Sequence, residues 1–147
     1  MIRAVAALLV AGLLLSACGT QSEVKAMSGW INQSEFHQNM TTLITDVHHS
    51  ASALEKSSSS SHVLHLVCAV LVTDTESANA ALPAPDRQST SLLSRAYTDI
   101  GGGANTCYGA GTNTALRKKA LEYLKKGLGE LTEAILRVDV AAGTSPA

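Results

Sequence analysis

The chain is 147 residues long with a formal net charge of −1, 46% hydrophobic residues, 16% charged residues and only 3% aromatic residues. That length suits one domain, and a charge so near neutral removes the broad basic field that duplex nucleic acid requires. Five rings (Trp30, Phe36, Tyr97, Tyr108, Tyr123) are too few for a row of stacking platforms, so no nucleic-acid partner is expected.

Arg3 is the only charge before an uncharged run from Ala4 to Ala17, rich in Ala, Leu and Val. A short positive stretch followed by an apolar one is the pattern of an export signal. A membrane span needs about 20 apolar residues, more than this run offers. The run ends in Leu15-Ser16-Ala17-Cys18-Gly19. Here the chain resembles the bacterial lipoprotein signal family, whose lipobox is an aliphatic residue, two small residues and an obligatory cysteine. The resemblance covers about the first 20 residues. It implies that Leu15, Ser16 and Ala17 are signal-recognition positions, that 1–17 is a cleaved leader, and that Cys18 carries the lipid. The expected partner is therefore the bilayer, reached through acylated Cys18 on the extracytoplasmic face of the cell membrane. Each buried methylene of an acyl chain contributes about 0.8 kcal/mol to such an anchor. Residues 18–34 are polar and read as a lipidated tether.

Removing Cys18 from the account leaves Cys68 and Cys107, which allow one pairing. An oxidising compartment makes a disulfide the default, the alternative being two separate buried thiols. No Cys-x-x-Cys or Cys/His zinc spacing occurs.

The first long helix is expected from about Gln33 to Lys56, where Phe36, Met40, Leu43, Val47, Ala51 and Leu54 draw one apolar stripe, with Ser34 as its cap. The run Ser57–Ser61 reads as a turn. Val63 to Val72 is apolar almost all round and would also suit a buried strand. No second strand-like run exists to pair with it, so a central helix from His62 to about Ala81 is expected. Pro83-Ala84-Pro85-Asp86 stops it.

A third helix begins after Asp86, its expected N-cap. Leu93, Tyr97, Ile100, Ala104 and Cys107 recur at helical steps. Gly101-Gly102-Gly103 lies inside that phase, and each glycine costs about 1 kcal/mol relative to alanine in a helix, so a break or kink is expected there. At 1.5 Å per residue, a Cys68–Cys107 bond in a level hairpin leaves a mismatch of about 10 Å. Either the helices are staggered or the glycines fold the chain back. The fourth helix runs from about Thr114 to Val138, with Leu121, Leu124, Leu128, Leu131, Ile135 and Val138 in an a/d pattern.

Four striped helices with short turns predict an all-α, antiparallel four-helix bundle over 35–139, followed by a disordered tail at 140–147. The layout Cys68, Asp74, Ala78, Leu82-Pro83, Pro85-Asp86, Leu92 and Cys107 also resembles small exported proteins of mycobacteria and related actinobacteria. Over perhaps 40 residues, that resemblance implies a helical bundle with a cystine and no activity.

Two clusters invite chemistry. His48, His49, His62 and His65 flank the Ser57–Ser61 turn, and an antiparallel pair of helices could bring some of them together, with Asp46, as zinc or copper ligands. The plainer reading is surface histidines beside a turn, because no H-x-x-x-H or H-E-x-x-H spacing is present. Arg117, Lys118, Lys119, Lys125 and Lys126 form a basic stretch that could rest on anionic lipid, or be a solvated helix face. No serine lies in G-x-S-x-G or S-x-x-K, and Gly101–Gly103 lacks the Lys-Ser/Thr of a phosphate loop. No catalytic site and no cofactor are marked. The expectation is a non-catalytic interaction module on the cell envelope, with an unidentified envelope protein as partner. Two other readings stand beside it: a phage- or prophage-encoded lipoprotein that excludes a second phage, and a metal or small-ligand carrier using the histidines or a bundle cavity.

Overall fold

The computed structural model describes residues 21–144. The expected leader 1–17, the recognition positions Leu15, Ser16 and Ala17, the lipidation site Cys18 and the last residues 145–147 lie outside the described residues.

Five helices account for nearly all of the described chain: α1 (21–33), α2 (Phe36–Glu55), α3 (Ser61–Ala80), α4 (Arg87–Ala110) and α5 (Thr114–Ala141). There is no strand among the described residues. Helices α2 to α5 form the antiparallel four-helix bundle. Each packs antiparallel on the next, and α5 closes the ring on α2. Side-chain pairs record that order: the Ser50 hydroxyl donates to Val67 O between α2 and α3, and Cys68 pairs with Cys107 between α3 and α4. Lys126 meets Asp99 between α5 and α4, and His37 meets Asp139 between α2 and α5. Polar side chains start three of the helices by accepting from their first amides. Ser60 Oγ accepts from Val63 N, Asp86 Oδ2 from Ser89 N, and Asn113 Oδ1 from Ala115 N and Leu116 N.

The segment expected as a tether is instead helical over 21–33 and docks on the bundle. Met27 is 1% exposed. The Trp30 indole donates from Nε1 to Ala81 O at 3.0 Å, and its ring lies 5.2 Å from that of Phe36. Val24, Met27 and Ile31 are spaced to draw a short stripe through an otherwise polar stretch. Ser34 does not cap α2. Its hydroxyl closes α1 by donating to Trp30 O at 2.7 Å, and the N-cap position of α2 falls to Glu35, in the left-handed region with φ 49°.

Helix α4 is continuous through Gly101-Gly102-Gly103, contrary to the expected break. Tertiary packing outweighs the intrinsic weakness of glycine here. A Cβ on Gly103 would lie 2.7 Å from Leu124 Cδ2, and one on Gly127 would lie 2.9 Å from Ile100 N. The two glycines thus let the α4 and α5 backbones approach more closely than any larger residue would allow. The stagger, not a fold-back, resolves the mismatch in the cystine register. With Cα atoms of Cys68 and Cys107 5.9 Å apart, the first turns of α4 extend past the end of α3, and α1 packs over that overhang.

On α5 the predicted stripe is half right. Leu124, Leu131 and Val138 are buried, but the helix's other buried positions include Ala120, Gly127 and Ala134, while Leu121, Leu128 and Ile135 are only half-buried. Small residues seven apart face α4, and the leucines beside them turn to the boundary with α2. Helix α5 continues to Ala141 and Ala142 is buried, so the first residues of the segment expected as a tail at 140–147 belong to the bundle.

Candidate functional site

The four histidines weighed as metal ligands are all exposed and do not converge. Among the described residues, no group of three or more His, Cys, Asp or Glu side chains is placed to hold a metal ion. The register explains why. Val67 faces α2, and His65 stands two residues earlier, a rotation of about 200° at 3.6 residues per turn. His65 therefore lies on the α4 flank, where its ring meets Tyr108 edge-on at 4.0 Å. His49 Nδ1 approaches Asp46 Oδ1, at 3.9 Å on its own helix.

The basic stretch also disperses. Arg117 is 7% exposed. It donates from Nε to Gly111 O at 2.8 Å, from Nη1 to Lys56 O at 3.0 Å and from Nη2 to Ser59 O at 2.7 Å. These carbonyls belong to the α4–α5 turn, the end of α2 and the α2–α3 turn, so the guanidinium ties three segments together. Lys126 turns to α4 and lies 2.9 Å from Asp99 Oδ2. Lys125 lies 3.9 Å from Glu55 Oε1, and Lys119 sits 5.8 Å above the ring of Tyr123. Arg117, Lys118 and Lys119 lie at the end of the bundle opposite α1. Since α5 has 28 residues, that end is about 40 Å from the α1 end.

Three carboxylate networks complete the electrostatics. Asp86 accepts from Arg137 Nε at 3.0 Å and Nη2 at 2.9 Å. Arg137 and, to a smaller extent, the Ser89 donors hold its carboxyl well below the usual range against the opposing effect of burial. Asp74 on α3 faces the Asp46 carboxylate of α2. Burial first, and the Asp46 carboxylate second, hold it above the usual range. Between α4 and α5, Lys126 lowers Asp99, while burial and then Asp99 raise Glu130. Glu130 Oε2 is buried without a hydrogen-bond partner among the described residues.

The surface features sequence reasoning missed are on α3. Val63, Leu66 and Val70 are 42%, 57% and 52% exposed, forming an aliphatic face on the side of α3 away from the core. The run from Val63 to Val72 is apolar almost all round, and the signal lay there: a helix with neighbours on two flanks cannot bury every side. Compared against protein-family models, curated proteins and solved structures, the chain matches none.

Proposed function

We propose that the protein is a lipid-anchored, non-catalytic interaction module on the extracytoplasmic face of a bacterial cell membrane. The observation that carries this reading is the sequence Leu15-Ser16-Ala17-Cys18 at the end of an apolar run, followed within three residues by a helix docked on the bundle. A thioether-linked lipid on Cys18 would then hold the α1 end close to the bilayer rather than on a long free tether. The two turns at 56–60 and 111–113 would point outward. Support for an interaction role comes from the aliphatic face of α3, whose Val63 and Leu66 lie in the outward half beside His65 and Tyr108. The basic residues at the start of α5 would stand away from the lipid in this placement, so the anchor does not depend on them.

Inhibition of lipoprotein signal peptidase by globomycin tests the anchor. The expected result is accumulation of a larger precursor on electrophoresis, together with transfer of a Cys18→Ala variant from the detergent phase to the aqueous phase. An unchanged precursor-to-mature ratio would overturn the reading.

A further inference from the structure

A groove of about 310 Å³ runs between α3 and α4, a size at the lower end for small-molecule sites. Its rim carries Glu76 and Asn79 from α3 and Thr98 and Asn105 from α4, and its floor is the bare backbone at Gly101 and Gly102. Packing accounts for Gly103 but not for these two. A Cβ at Gly101 would meet only Thr75 Cγ2, at an ordinary 3.5 Å, and one at Gly102 would meet only the Tyr123 ring, at 3.9 Å. Alanine fits at both positions and would strengthen the helix. The fold therefore leaves two helix-weakening residues unexplained: Gly101 faces this groove, and Gly102 borders it on the side of Tyr123.

The hydrogen bonds around the groove define its chemistry. The Thr75 hydroxyl donates to Leu71 O at 2.6 Å, the Thr98 hydroxyl to Ser94 O at 2.8 Å, and Asn105 Nδ2 to Gly101 O at 2.9 Å. The two hydroxyl protons and one of the two Asn105 amide protons are occupied by helix carbonyls, which leaves the Thr98 lone pairs and Asn105 Oδ1 as acceptors, beside the second Asn105 N–H and the Asn79 amide. Glu76 adds a carboxylate that makes no ion pair among the described residues. The groove mixes amide donors with free acceptors and carries one negative charge, from Glu76, so a cation bearing N–H donors complements the Glu76 carboxylate, Thr98 Oγ1 and Asn105 Oδ1.

We propose that this groove binds a small organic cation, a primary amine or guanidinium compound, whose body lies on the Gly101–Gly102 backbone and whose charged head meets Glu76, Thr98 and Asn105. The proposal stands independently of membrane attachment. It is tested with nitrogen-15 correlation spectra of the full chain titrated with agmatine and with spermidine, using inorganic phosphate as the anionic control. The expected result is saturable movement of amide resonances at 72–79 and 98–105 with the amines and none with phosphate. Glu76→Gln should weaken the effect tenfold or more. The double variant Gly101→Ala/Gly102→Ala should abolish saturable binding while raising the thermal midpoint, which separates a filled site from a damaged fold. The proposal is overturned if neither amine moves these resonances at about 10 mM, if phosphate moves them equally, or if the double variant still binds. A blocked arginine peptide binding more tightly than agmatine would assign the groove to a protein partner and overturn it as a free-ligand site.

Discussion

Arg117 shows how one side chain can carry a boundary of the fold. Its three donors satisfy carbonyls at Gly111, Lys56 and Ser59 that would otherwise be left at helix ends and turns. Arg117→Ala should lower the unfolding free energy by about 3 kcal/mol, read from chemical denaturation, because charged hydrogen bonds are lost and buried carbonyls left open. Arg117→Lys should recover only part, since an ammonium cannot span three directions as a planar fork does. Two carboxylates should act oppositely on pH. The Asp86 carboxyl is depressed in the folded state, so its stabilisation is full above its unfolded value near pH 4 and is lost as pH falls below it. The Asp74 carboxyl is raised, so the folded state binds its proton more tightly and stability falls as pH climbs from about 4. Asp86→Asn should therefore lower the thermal midpoint at pH 7 and flatten the acid limb. Asp74→Asn should raise the midpoint at pH 7. Arg117's role was not legible in the sequence: a cation next to two lysines at the start of a helix looks like a solvated face until the turns that surround it are known.

At the scale of the element, the α4–α5 pair decides whether glycine weakens or serves. Gly127→Ala should destabilise by about 1–2 kcal/mol, because the overpacking against Ile100 N and Ala96 O exceeds the gain in helix propensity. Equilibrium denaturation checks this, and a gain in stability would mean that the two backbones separate at little cost. The apolar stripes and the Asp86 cap were readable because they are local and periodic: Leu93, Tyr97, Ile100, Ala104 and Cys107 all lie in the core as spaced. The continuity of α4 was not readable, since it depends on Leu124, 21 positions beyond Gly103, and propensity sees only neighbours. Helix α1 was missed for a related reason. Its stripe is short, and its anchor, Trp30 on Ala81 O, is a contact across 51 positions.

For the whole molecule, the Cys68–Cys107 link closes 39 residues of chain between the two central helices, with both cysteines fully buried. Replacing both by serine should cost about 4 kcal/mol in the chain-entropy account of cross-links, measurable as a fall in the denaturation midpoint. Of the candidate sites, only this pairing was both legible and brought together. The histidines failed to meet because their places around each helix axis, not their separation along the chain, decide what they face. The way α1 lies on the bundle end also sets how the molecule would respond to a mechanical load. A pull delivered through the amino terminus would peel residues 21–33 away first, parting the Trp30–Ala81 contact before any of the four longer helices bears the strain. Beyond that point, the sulfur link would stop the segment between its two ends from paying out, leaving the centre knotted shut while the rest lengthens.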